Sequence, residues 1–493
     1  MKLDRRTWLV IVLLGLSGQI AWNVENSWFN TFVYDEITPD PRPIAAMVAV
    51  SAIVATVTTL VMGAWSDRLR RRKPFIVIGY LLWGLSVAVY PAAAEARAVT
   101  LAVILVILLD AVMTFFGSTA NDAAFNAWVT DATDEHNRGR VDGVLQVMPV
   151  LATMIGMGAS GFLIDAFGYT PFFLTLGGVV LVMGVVGGLL LRDHPPVGSA
   201  LDPAHPDVPS HPGSRVSSDP GVGIPSHLGD GKLCTDSAAQ VAPARPAVAP
   251  NSRGKGKLCR DSAVQVAPAR PAVGVRQLIV YEFSPAQIRA NADLFLVFTA
   301  MLIFSTGVQI TFPYEVIYLN HTLGIDKGTV GVITAMVAPV LVLFAWPIGA
   351  LTDRGRGYAV LLTGFLVAAA GTALFSMASS VVGLTVMALV KSVGFLMMIV
   401  LMAWHRHLLP PDARGVFQGI RLIFMVLLPM VIGPQIGSAL IRAFGEPAVV
   451  DGQAGHQPPG LIYLVGAAVV ALSVLPVLAL RIRRRGLPPG SPA

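Results

Sequence analysis

Read from its amino terminus, the chain is a succession of apolar runs parted by short polar or charged stretches. Each run is long enough for a helix to cross a bilayer's hydrocarbon layer, which takes about 20 residues. Six runs lie at approximately 8–33, 44–65, 74–94, 99–122, 140–164 and 170–191. Six more lie at approximately 293–319, 329–350, 357–379, 381–404, 415–441 and 459–481. The pattern predicts an all-α membrane protein of twelve transmembrane helices in two six-helix bundles. The first bundle occupies 1–191, and the second, with a polar tail, 291–493.

The intervening stretch, 192–290, is rich in Pro, Ser, Gly, Ala and His and poor in large apolar residues. Such a composition buries too little surface to offset ordering entropy, so most of it reads as a disordered linker. It carries a tandem duplication, GKLCTDSAAQVAPARPAV at 231–248 and GKLCRDSAVQVAPARPAV at 256–273. Two copies without a hydrophobic face stack no solenoid. The last part, 275–290, is more amphipathic and suited to the membrane surface.

Composition agrees with this. Hydrophobic residues are 54% of the 493 and charged residues 13%, half the share that covers a soluble domain. The net charge of +6 does not point to nucleic acid, because the basic residues sit in short loops and no basic–aromatic stripe occurs. Lys2, Arg5, Arg6, Arg68 to Lys73, Arg138, Arg140, Arg354, Arg356, Arg406, Arg414 and Arg481 to Arg485 fall on one side, against Arg42, Arg97, Lys327 and Arg442 on the other. The positive-inside rule then puts both termini and the linker in the cytoplasm of a cell-membrane protein. Cys234 and Cys259, both in the linker, form no C-x-x-C or His/Cys cluster, so neither a structural metal nor a disulfide framework is expected. The first run has no small-residue cleavage site and reads as a retained helix.

Two motifs recur once in each half. Gly63-Ala64-Trp65-Ser66-Asp67-Arg68 follows predicted helix 2 and Gly349-Ala350-Leu351-Thr352-Asp353-Arg354 follows helix 8, 286 residues apart. Arg138-Gly139 and Arg414-Gly415 open helices 5 and 11. Repeats in the same orientation suit a transporter whose halves rock around a central site. The first motif, continued by Arg70-Arg71-Arg72-Lys73, resembles the loop signature of the major facilitator superfamily, with Arg70 where that signature has a second Gly. The resemblance covers both bundles and leaves out the linker. It implies a cytoplasmic latch between the halves, carried over here to Asp67, Arg68 and Arg71, with Gly63, Asp353 and Arg354 in the two motifs. The plainer alternative is that these charges only fix topology. Ser66-Asp67-Arg68, Arg71-Arg72-Lys73-Pro74-Phe75-Ile76 and Asp131 look like the glycoside–cation and sucrose–proton symporters. The proline-containing helix-5 element of drug–proton antiporters is missing, since helix 5 has Gly156-Met157-Gly158-Ala159-Ser160-Gly161. That stretch also matches G-x-G-x-x-G, but no strand precedes it, which excludes a dinucleotide fold; its small residues suit close helix packing.

Ionisable residues within apolar runs are functional candidates because each is costly unless paired or solvated. Asp110 lies midway in helix 4 and Lys391 midway in helix 10. In the superfamily fold helices 1, 4, 7 and 10 line the cavity, so the two are expected to face each other and exchange partners as solute and proton bind. A static buried pair is the alternative. Helix 1 presents Gln19, Trp22, Asn23, Glu25, Asn26 and Asn30, largely as one helical stripe. Helix 4 adds Thr114, Ser118 and Asn121, and helix 7 adds Gln309, Tyr314 and Glu315. Amides match hydroxyl groups and an aromatic face matches a sugar ring's C–H side. Arg421 could pair with Asp142 or approach Asp67.

These features point to a secondary transporter, not an enzyme, since the spans hold no metal cluster, nucleophile motif or phosphate loop. No cofactor is implied. The expected partners are the bilayer, a sugar-like solute and a coupling cation, the proton. The alternatives are a proton-coupled efflux antiporter of hydrophobic molecules and a membrane receptor that binds without transport.

Overall fold

The computed structural model describes residues 3–69, 71–134, 137–193, 283–410, 414–450 and 452–485. The linker duplication, both cysteines and Arg70 lie outside the described residues.

Eleven described helical stretches are long and apolar enough to cross a membrane. One, Lys327–Phe375, has 49 residues and turns at Gly355 with φ +75°, a conformation open to glycine and strained for other side chains. It therefore counts as two crossings. The twelve helices are α1 (Arg5–Ile37), α2 (Pro41–Leu69), α3 (Lys73–Glu95), α4 (Val99–Ala132), α5 (Gly139–Phe167), α6 (Tyr169–Leu190), α7 (Ala292–Thr322), α8 (Lys327–Leu351), α9 (Gly357–Phe375), α10 (Val381–Leu408), α11 (Phe417–Phe444) and α12 (Leu461–Arg484). With no water in the bilayer core, only a closed helical ladder satisfies the backbone there. The polar end of α4, Asp122 to Asp131, stays helical beyond its predicted boundary.

Within each half, small residues let helix backbones meet, the usual means of association in lipid. A Cβ on Gly177 of α6 would lie 2.5 Å from the Gly84 carbonyl of α3. A Cβ on Gly371 of α9 would lie 2.5 Å from the Lys391 nitrogen of α10. Between the halves, α2 packs on α11 and α5 on α8. The second contact rests on the Gly-rich stretch of α5, since a Cβ on Gly161 would sit 2.0 Å from the Lys327 carbonyl. The sequence-based reading of that stretch as a packing surface is correct.

One element lies outside the all-helical expectation. Strands β1 (Pro447–Val450) and β2 (Gln453–His456) form an antiparallel hairpin between α11 and α12. Its signal is present in the sequence, because Asp451-Gly452 after a Val-Val run is a common two-residue hairpin turn. The short helix Pro285–Ala290 precedes α7, and the Ser284 side chain accepts from the Gln287 N–H at its start.

The contacts joining the halves gather at the end of the bundle opposite the termini. Asp35, at the end of α1, pairs with His321 of α7 at 2.6 Å and with Lys327 of α8 at 3.1 Å. The Tyr169 hydroxyl of α6 also donates to Asp35, at 2.6 Å. The Tyr34 hydroxyl donates to the His456 carbonyl, and the His456 N–H to the Pro39 carbonyl. The Gly328 N–H donates to Asp165 at 2.8 Å. This end is sealed by an ion-paired cluster, a hairpin and interlocked glycines.

Candidate functional site

Between the halves lies a cavity of two lobes, about 330 and 310 Å³, in the size range of small-molecule sites. Gln19, Trp22 and Asn26 of α1 and Val426 and Met430 of α11 bound both lobes. Asn23, Gln309, Phe312 and Met425 complete one; Glu25, Ser51, Thr114 and Asp122 help complete the other. The first-half wall is amide- and carboxylate-bearing, and the second-half wall largely apolar.

Local irregularity in the helices builds this wall. Wide π-type turns occur at Glu25–Phe29 in α1, Ser118–Phe125 in α4 and Ile423–Leu427 in α11. Such turns alter which side chains share a face and often mark functional sites. The first one brings Glu25 and Asn26 to the cavity together. The amides of α1 are fixed by its own backbone: Asn23 donates to the Gln19 carbonyl at 3.0 Å, Asn26 to Trp22 at 2.7 Å and Asn30 to Asn26 at 3.0 Å. The Asn23 carbonyl oxygen accepts from Thr153 of α5 at 2.8 Å. Trp22 rests on Trp83 with ring centroids 5.2 Å apart.

Several buried polar atoms at this wall have no protein partner: Trp22 Nε1, Glu25 Oε2 and Gln309 Oε1. A buried polar atom left unpaired is costly, so this wall suits a hydroxylated solute able to donate and accept. Trp22, Asn23 and Asn26 of the helix-1 stripe come together here, joined by Glu25 and by Gln309 of α7. Asn121 does not. It accepts from the Tyr80 hydroxyl at 3.3 Å and donates to Asp122 at 3.2 Å, and its oxygen lies against Gly18. Its place is in the packing of α1, α3 and α4.

Asp110 and Lys391 form no ion pair with each other. Asp110 is buried and accepts from the Ser51 hydroxyl of α2. Lys391 pairs with Glu315 of α7 and stands over the Phe375 and Tyr463 rings. Each charge found a partner inside its own half. Their equivalent sequence positions carried no information on facing direction. The second-half wall comes instead from α7 and α11.

The expected latch also takes a different form. Asp67 pairs with Arg72, not Arg71, and Arg72 reaches Asp131 at 3.1 Å and the Ser66 hydroxyl at 2.6 Å. Asp193 receives the backbone N–H groups of Arg72 and Lys73 at 3.0 and 2.8 Å. These partners all belong to the first half. Arg72 is 7% exposed, while Arg68, Arg71, Asp353 and Arg354 are exposed, and none of those four forms an ion pair among the described residues. A Cβ on Gly63 would meet only Ala123 of α4, at 4.0 Å, an ordinary contact, so no close approach requires glycine there. Arg421 forms no ion pair with Asp142 or Asp67; its Nε donates to Gln418 at 2.9 Å and its guanidinium lies against Met402 and Met425. Ser51, Arg72, Asp35 and the α11 methionines were not singled out in the sequence. Of these, only Asp35, a carboxylate closing an apolar run, carried a signal in the sequence.

The family model of the Major Facilitator Superfamily matches residues 7–272 and 297–493. The chain belongs to this superfamily. Among curated proteins it is similar to Sugar efflux transporter A of Dickeya chrysanthemi, 26% identical over 187 residues. That match covers 38% of this chain and 45% of the relative, so less than half of the relative's length is spanned. Among solved structures the fold is shared with two of the nucleoside transporter NupG, one of them a point mutant. Their TM-scores are 0.66 and 0.62, at 12% and 13% identity, covering 96% of this chain and 99% and 98% of those. A D-xylose-proton symporter matches with TM-score 0.61 at 12% identity, covering 96% of each chain. This superfamily member is a multi-pass membrane transporter with two six-helix halves, and not an enzyme.

Proposed function

We propose that this chain is a secondary active transporter that carries a sugar or similarly hydroxylated solute together with a proton, by alternating access. The observation that carries this reading is the cavity wall, where amides, a tryptophan face and unpartnered polar atoms converge between the halves. An apolar drug would leave those polar atoms unpaired, whereas a ring bearing hydroxyl groups satisfies them. The names of the relatives, which mention sugar, nucleoside and D-xylose-proton transport, agree with a polar solute.

Charge placement supports an orientation with both termini on the cytoplasmic side of the cell membrane. On that orientation the sealed end faces outward and the cavity communicates inward. The segment 192–290 links the two halves. Rocking the halves would part the Asp35 cluster and bring the opposite ends together, where the Asp67–Arg72–Asp131 group braces the first half.

A second reading is sugar export, favoured by the relative named a sugar efflux transporter. It uses the same cavity and reverses the link between proton and solute movement. Uptake of labelled sugars and nucleosides into proteoliposomes with an inside-alkaline pH gradient separates the two. Symport predicts accumulation of at least one solute, lost in Gln309→Ala and in Asn26→Ala. Accumulation only with the gradient reversed would establish export, and no movement of any polar solute would refute both.

A further inference from the structure

Two buried carboxylates, Asp110 on α4 and Glu25 on α1, are joined through two hydroxyl groups. Ser51 of α2 hydrogen-bonds Asp110 Oδ2. Thr114 of α4 hydrogen-bonds Glu25 Oε1 at 3.1 Å. The two hydroxyl oxygens, Ser51 Oγ and Thr114 Oγ1, are themselves 3.0 Å apart. The chain thus has three links, and each needs one proton.

Two hydroxyls supply only two protons. With both carboxylates ionised, Ser51 and Thr114 would each donate outward, leaving two oxygen lone pairs opposed in the middle. The third proton must come from one carboxyl group. We infer that Asp110, Ser51, Thr114 and Glu25 form a proton wire holding one proton in excess of the two hydroxyl protons. In one arrangement Asp110 is the acid and donates to Ser51, Ser51 donates to Thr114, and Thr114 donates to Glu25 carboxylate. In the other, Glu25 is the acid and every donation reverses. Moving three protons by one link each converts the two, carrying a single positive charge from end to end with no group left over.

The surroundings agree. Asp110 is 2% and Glu25 7% exposed, and neither forms an ion pair with a cation among the described residues. Two adjacent unpaired negative charges there would be severely penalised. The other titratable groups facing the wire are Asp122 and Tyr90, neither of which offers positive charge. A small pocket of about 10 Å³ is bounded by Glu25, Asn30, Ser51, Asp110 and Met430. Two unpartnered acceptors, Glu25 Oε2 and Asn30 Oδ1, belong to its wall, the latter on a residue 1% exposed.

The two ends differ in access. Glu25 bounds the large cavity as well, while Asp110 bounds only the small pocket. A solute hydroxyl donating to Glu25 Oε2 favours ionised Glu25 and so drives the proton to Asp110. Solute binding is thereby linked to which end of the wire holds the proton, an inference that rests on the proton-coupled reading above.

The test is the carboxylic acid C=O absorption of the lipid-reconstituted full chain, recorded by infrared spectroscopy at neutral pH without solute. The wire predicts one protonated carboxyl that disappears in Asp110→Asn and also in Glu25→Gln. Either amide supplies the missing donor and leaves the opposite carboxyl ionised. Survival of the band in one of the two variants would mean an isolated acid and overturn the wire. Absence of the band in the unmodified protein, or its appearance only on removing sodium, would also overturn it. Should an amide variant fail to assemble, Thr114→Val decides. It is expected to cut the protons taken up per solute moved at least tenfold, with Thr114→Ser restoring the ratio; full coupling in Thr114→Val would refute the relay. The infrared measurement needs no transported solute, so failure of the transport reading and failure of the wire remain distinguishable.

Discussion

Replacing Asp35 by Ala should shift the protein away from the state seen here. Asp35 is the carboxylate that holds the second half at the sealed end, through His321 at 2.6 Å and Lys327 at 3.1 Å. Its side chain is 11% exposed and that of Lys327 19%, so solvent screens the pair only in part. A hydrogen bond to a charged group contributes roughly 1.5–3 kcal/mol. Two such contacts cross between the halves, and Tyr169, in the same half as Asp35, does not count toward holding them together. The closed end should therefore lose about 3 kcal/mol relative to the parted state, a shift of somewhat more than a hundredfold. Spin labels on Arg97→Cys and Val449→Cys, in a background with Cys234 and Cys259 replaced by Ser, report the separation by double electron–electron resonance. Both sites are exposed, one on each half. Asp35→Ala should move most of the population to longer distances, and the charge exchange of Asp35→Lys with Lys327→Asp should return part of it. An unchanged distance distribution would show that the ion pairs do not hold this end, and the reasoning would fail.

Other outcomes follow from the same geometry. Lys391→Ala leaves Glu315 without its cation and should destabilise the fold by about 3–5 kcal/mol, seen as a lower melting temperature; Lys391→Met with Glu315→Gln should recover most of that. Arg72→Ala should lower thermal stability clearly, because it leaves Asp67, Asp131 and Ser66 without their partner, whereas Arg71→Ala should fall within about 0.5 kcal/mol of the parent. Gly161→Val places side-chain atoms where the Lys327 carbonyl stands, so the labelled pair above should report a parted end without any change in charge.

The architecture was readable because lipid imposes one rule on every crossing: about 20 apolar residues in a closed hydrogen-bond ladder. Apolar run lengths therefore located all twelve helices, and the repeated loop motifs exposed the twofold organisation. The polar stripe of α1 was also legible, since Gln19, Trp22, Asn23 and Asn26 share a helical face that the structure turns to the cavity. Partner choice was not. Asp110 and Lys391 hold matching positions in the two halves, yet which neighbour each meets depends on helix rotation, which hydropathy does not encode. Ser51 looks like any small residue in an apolar run until α2 is packed against α4. Arg72 was one of several consecutive basic residues, and only the turn into α3 selects it over Arg71 for burial. The π-type turns leave no trace in apolar periodicity, although they decide that Glu25 joins the cavity.

The most direct test of the account is the external pH of a weakly buffered suspension of de-energised vesicles containing this protein, followed as each of a panel of sugars and nucleosides is added. Proton-coupled symport predicts alkalinisation with at least one of them, abolished in Asp110→Asn while exchange of the same solute persists. Acidification on adding solute, or alkalinisation that survives in Asp110→Asn, would contradict it.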